Sequence, residues 1–109
     1  MTRVSDSDVG RACRLLLRDI EATLGPGYES VVHDNATRAR GFVADPARYV
    51  EKVVKDVQQY FHDCHVHTTW PACPHHPNHP LWLHDESWRC ERDGVVVARL
   101  GELGRRVQT

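Results

Sequence analysis

Between Trp70 and Pro80 the chain reads Trp-Pro-Ala-Cys-Pro-His-His-Pro-Asn-His-Pro, and Cys90 follows ten residues later. Pro71, Pro74, Pro77 and Pro80 recur every third residue, so neither an α-helix nor a central strand accommodates the run. Cys73, His76 and His79 share that period, and each precedes a proline, which biases it away from the α region. In a straight polyproline II rod these three would stack about 9 Å apart, too far to share anything. The segment is therefore either a stiff polar surface loop or a loop that turns between Cys73 and His79 and brings its side chains together.

The residue types favour the second reading. Seven of the eight histidines lie between His62 and His84. Thiolate and imidazole are the ligands of closed, tetrahedral structural zinc sites. Cys73, His76, His79 and Cys90 give the order C-x2-H-x2-H-x10-C, and two thiolates with two neutral imidazoles cancel the charge of Zn²⁺. Cys90 stands at the end of an expected strand, before the turn Glu91-Arg92-Asp93-Gly94, where a β-hairpin presents a ligand. The set resembles a zinc ribbon with histidines in place of two cysteines. His75 is the main rival to His76, and His84 a weaker one. His62, Cys64, His65 and His67 form a further group that either substitutes for a ligand, binds a second ion, or is a polar helix end. A Cys/His site also takes Fe²⁺, Ni²⁺ or Cu⁺.

A chain of 109 residues builds one modest core, to which a structural metal contributes usefully. The formal charge of -1 excludes a global basic field for nucleic acid or anionic membrane. No signal-peptide stretch or membrane-length apolar run is present, so the expected compartment is cytoplasmic, where the four cysteines stay reduced.

Apolar residues from Val9 to Leu24 recur at spacings of three and four, which predicts a helix over 5–24, capped by Ser5 or Ser7 and stopped by Gly25-Pro26-Gly27. Arg11, Arg14 and Arg18 are expected on a solvated face with Asp19 and Glu21, and Cys13 in the core. Tyr28–His33 and Thr37–Val43 read as two short strands around an Asp34-Asn35 turn, with Arg38 and Arg40 facing solvent. Asp45-Pro46 starts a second helix running to about Phe61. Leu81–Leu83, Trp88–Cys90 and Val95–Leu100 read as strands, with Trp70, Trp82 and Trp88 as the core of the C-terminal element.

The expected fold class is thus α+β: two helices with a small antiparallel sheet and a C-terminal zinc-ribbon-like β-hairpin element. Its expected divisions are an α+β layer over 1–66, the Cys/His element over 67–104 and a tail over 105–109.

Trp70-Pro-x-Cys-Pro-x-His-Pro-x-His-Pro-Leu-Trp82, Trp88-x-Cys90-x-x-Asp-Gly and Val97-Ala-Arg-Leu-Gly-Glu-Leu103 together resemble a group of small actinobacterial proteins of unknown function. The resemblance covers about a third of the chain. It implies that Cys73, His76, His79 and Cys90 are the shared positions and that His75 and the 62–67 group vary. It implies no activity.

Three function classes follow. The first is a zinc-stabilised binding or scaffolding module whose partner is another protein. The second is a nucleic-acid-binding zinc protein relying on a local patch from Arg11, Arg14, Arg18, Arg38 and Arg40. The third is a zinc hydrolase with an open metal position and Asp85 or Glu86 as base. A fourth ligand at Cys90 would close such a site, and no H-E-x-x-H pattern is present, so the expected role is binding rather than catalysis, with no catalytic residues assigned.

Overall fold

A computed structural model describes residues 4–65, 70–76 and 79–104, the side chains of 64 and 65 excepted. Helix α1 spans Asp6–Thr23. The Ser5 side chain accepts from the Asp8 N–H, and the Asp8 carboxylate accepts from the Ser5 N–H, a reciprocal capping box. The helix ends at Leu24, and Gly25 (φ 95°) and Gly27 (φ 107°) carry the chain away in left-handed backbone.

Glu29–Arg40 is a helix, α2, and not the strand pair around Asp34-Asn35 that the β-branched residues suggest. Val32, Ala36 and Ala39 are fully buried at helical spacing and form its one inward face. Their small size lets α3 approach: the buried Tyr49 hydroxyl donates to the Ala36 carbonyl at 2.8 Å. The residues that read as a turn are absorbed within the helix, Asn35 Nδ2 donating to the Val31 carbonyl at 2.8 Å. Arg38 and Arg40 are exposed as expected, and Arg40 reaches Asp6 at 2.7 Å. Three helices therefore replace the expected two.

Helix α3, Pro46–Tyr60, starts where Asp45-Pro46 places it, with the Asp45 side chain accepting from the Ala47 N–H. Tyr49, Val50, Val53, Val54 and Val57 bury one stripe, and a π-helical turn, Phe61–His65, follows.

The sheet is antiparallel, in the order β1 (Leu81–His84), β2 (Ser87–Cys90), β3 (Val96–Arg99). Asp85 (φ 51°) and Glu86 (φ 60°) form the two-residue turn between β1 and β2, both left-handed as a hairpin of right-handed twist requires. Leu81, Leu83, Trp88, Cys90 and Val97 face inward, whereas Trp82 and His84 face out. The expectation that all three tryptophans form a core holds for Trp70 and Trp88 and fails for Trp82, which is 58% exposed. Alternation along β1 leaves it no choice once Leu81 and Leu83 are inside.

Helices and sheet share one core. Edge-to-face ring contacts run from Tyr28 through Phe61 and Trp70 to Trp88, with centroids 5.2, 5.2 and 6.0 Å apart. Gln58 on α3 donates to the Leu81 carbonyl at 2.8 Å. Asp19, expected beside the arginines of α1, is instead fully buried. Its carboxylate accepts from Trp88 Nε1 (2.7 Å), the Gly101 N–H (2.7 Å) and the Leu103 N–H (2.9 Å). Burial pushes this carboxyl above its usual range, and the three donors pull it part of the way back. Arg11 pairs with Glu86 of the hairpin turn through two hydrogen bonds, one of 2.9 Å.

Gly101 has φ 91°, and a Cβ there would lie 2.8 Å from Leu15 Cδ2. Gly101→Ala is expected to cost about 1–3 kcal/mol, since left-handed strain and a clash against the back of α1 act together. Chemical denaturation measures it, and a loss under about 0.5 kcal/mol would mean that the 100–104 segment is not docked on α1.

Candidate metal centre

The Pro/His segment turns on itself. The Cys73 N–H donates to the His79 carbonyl (3.0 Å), the His76 N–H to the Cys73 carbonyl (3.2 Å) and the His79 N–H to the His76 carbonyl (2.9 Å). At the base of the loop Ala72 and Pro80 form an antiparallel bridge, and the Leu81 N–H donates to the Pro71 carbonyl at 2.8 Å. The straight rod is thereby excluded. Opposite the loop, Leu81 pairs with Cys90 in register, and the Glu91 N–H holds the Pro80 carbonyl at 3.2 Å. This seats the sulfur of β2 beside the loop.

The result is a converging trio. One nitrogen or sulfur each from Cys73, His76 and Cys90 lies within 4.8 Å of the other two. His76 Nδ1 is 3.7 Å from Cys73 Sγ and 3.4 Å from Cys90 Sγ. With Zn–S near 2.3 Å and Zn–N near 2.0 Å, the edge of a tetrahedron from sulfur to nitrogen is about 3.6 Å. Both sulfurs are buried and the histidine is half-buried, so a bound ion would be shielded on the protein side. Cys13, Cys73 and Cys90 are free thiols, and Cys13, as expected, is a small core residue. In the absence of a cation, burial pushes the Cys90 thiol above its ordinary range. A divalent ion reverses that preference by coordinating the thiolate.

His79 is near the trio but outside it. Its ring centroid is 6.3 Å from that of His76, where two imidazoles on one tetrahedral ion keep about 5 Å, and its Nδ1 faces Glu91 at 3.3 Å. Asp93, which the sequence offers only as a turn residue, is also outside the trio but faces the same histidine. One of its oxygens accepts from the Val95 N–H at 3.0 Å, and the other lies 3.8 Å from His76 Nδ1. The Val95 N–H, the Cys90 side chain and His76 together hold its carboxyl below the usual value. The turn that carries it closes by hydrogen bonds from the Gly94 N–H to the Cys90 carbonyl and from the Cys90 N–H to the Val95 carbonyl.

His75 is exposed beside the loop, and His84 lies on the outer face of β1 between Glu51 (3.7 Å) and Asp85 (3.4 Å). His62 is exposed against Asp63 at 3.3 Å. The Cys64 and His65 side chains and all of His67 lie outside the described residues, as does the tail 105–109. Among the described residues no helix is long and apolar enough to cross a membrane. No protein-family model, curated protein or solved structure matches this chain.

Proposed function

We propose that this chain is a small zinc-binding module in which the metal is mainly structural, and that it acts by binding another protein. The observation carrying the reading is the pair of sulfur–nitrogen distances at His76, 3.7 and 3.4 Å, on either side of the tetrahedral edge of about 3.6 Å. A neutral imidazole with two thiols on one ring nitrogen leaves at least one contact unsatisfied, whereas a cation between them satisfies all three. The trio also ties together the elements that least hold themselves, a Pro-rich loop and a hairpin of four-residue strands. The formal charge of -1 argues for a protein partner over nucleic acid.

For the fourth corner, spacing and charge balance name His79: with Cys73, His76 and Cys90 it makes a neutral zinc site, at the cost of moving its ring about 1 Å toward His76. A second reading gives the corner to Asp93, whose free oxygen lies 3.8 Å from His76 Nδ1; it must swing in toward the sulfurs to complete a tetrahedron, and it would leave a net charge of -1 at a half-exposed edge. Zinc content of His79→Ala and Asp93→Asn, measured by elemental mass spectrometry after dialysis against a weak chelator, separates the two. Loss of zinc from His79→Ala alone selects the neutral set. Loss from Asp93→Asn alone selects the carboxylate. Full retention by both rules out both residues and gives the fourth corner to water or to His75.

A further inference from the structure

Helix α3 and the edge strand β1 leave a groove between them, and Trp82 stands in the wall of three adjoining cavities along it, of about 380, 550 and 390 Å³. The largest is lined by the apolar side chains of Val43, Val54, Leu83 and Trp82, with Arg48 and Lys55 at its rim. Its size suits one or two large side chains. An indole more than half exposed beside an apolar hollow is the kind of residue that anchors a protein interface.

The charges around the groove are uneven. Of the two acids that line it, Glu51 faces His84 at 3.7 Å and Glu91 faces His79 at 3.3 Å, and Lys52 is paired with Asp56 at 3.0 Å. Among the described residues Arg48 and Lys55 have no ion-pair partner. Arg89, the cross-strand neighbour of Trp82, lines the third cavity, and its Nε is buried with no hydrogen-bond partner. A guanidinium nitrogen withdrawn from water and left unpaired is completed by a carboxylate.

We infer that the groove between α3 and β1 binds an acidic segment of a partner protein, one that seats an apolar side chain against Trp82 and Leu83 and presents carboxylates to Arg48, Lys55 and Arg89. The inference rests on the reading of this chain as a protein-binding module and names the surface it uses. β1 is in register with Cys90, so the metal centre steadies one wall of the groove.

The test is a titration of the zinc-loaded full chain with a short synthetic peptide of aspartates and glutamates carrying one phenylalanine and one leucine, read by ¹⁵N–¹H NMR. The expected result is a shift of the Trp82 indole and of the Lys55 and Leu83 amides, with the fully buried Trp88 indole, which lines none of the three cavities, unmoved. Trp82→Ala and the double variant Arg48→Glu, Lys55→Glu alter exposed residues, so the Trp70 and Trp88 resonances report an intact fold, and each variant should weaken binding at least about tenfold. Equal binding by Trp82→Ala, or by a peptide with lysines for its acids, overturns the inference. So does a shift of the same resonances with protein concentration alone, which assigns the face to a second copy, or with an oligouridine. Zinc content of the same sample separates the two readings: a zinc-loaded chain that ignores the peptide sinks the groove alone. A chain that holds no zinc yet takes the peptide at Trp82 sinks the zinc site alone.

Discussion

Asp19→Ala is expected to be strongly destabilising, although the residue lies outside the candidate metal centre. It removes the acceptor for three donors at once, the Trp88 indole and the Gly101 and Leu103 amides, in a position with no exposure to solvent. Each buried donor left unpaired costs about 1–3 kcal/mol, and the three are not additive because they share one cavity that water can partly fill. The expected loss is about 3–5 kcal/mol, out of a total stability of about 5–15 kcal/mol for a domain of ordinary size. Asp19→Asn keeps the shape and one acceptor but turns an amide N–H toward a donor, so it should recover part of the loss and no more. Thermal unfolding followed in the near ultraviolet measures both. A fall in Tm of at least about 15 °C is expected for Asp19→Ala. A fall of only a few degrees would mean that the 101–103 segment does not close over the carboxylate in solution.

Cys90→Ser, or a strong chelator, should dismantle the C-terminal half while leaving most of the helix. Removing one of the two thiolates of the proposed trio is expected to weaken zinc retention by more than about 100-fold, since changes even to groups behind the ligands of a zinc site cost about 10–100-fold. The near-ultraviolet signal should then collapse, because Trp70 and Trp88 pack within the elements that the proposed ion would tie together. The far-ultraviolet helical signal should persist, since α1, α2 and α3 pack on one another and none of them carries a residue of the trio. The remaining helices should melt at a lower temperature, because loss of the C-terminal half withdraws all three donors from Asp19. Metal affinity should also fall with acidification, as protons compete for both thiolates. A Cys90→Ser protein that keeps one tightly held zinc per chain would falsify the proposed ligand trio.

The parts of this fold that read directly from the sequence are those with local chemical markers. Ser5 with Asp8, and Asp45 with Pro46, mark two helix starts by residues that cap orphan amides. Helix α2 has no such marker: its N-cap is Tyr28, with no side-chain hydrogen bond, and its inward face is one valine and two alanines. What makes it a helix is tertiary, the close approach of α3 and the Tyr49 hydroxyl on the Ala36 carbonyl. Against that, the adjacent valines and the Asp34-Asn35 pair carry a misleading β signal. Asp19 was open to a better reading, because it sits between Leu16 and Ile20 on the stripe that the helix buries, and a carboxylate there needs donors from elsewhere in the chain. At the metal centre, the short spacing of Cys73 and His76 and the hairpin position of Cys90 made the trio legible. The different standing of His79 and Asp93 depends on how the loop and the turn close, which spacing does not encode.

The carboxylate of Asp19 also sets an order of events during synthesis. Its donors lie 69, 82 and 84 residues further along the chain. α1 is therefore made before any of its donors and carries a charged group on its apolar stripe until residue 103 has followed. Contacts of such long reach slow folding. Until residues 101–103 are made, the carboxylate lacks two of its three donors, and the face of α1 that carries it stays uncovered.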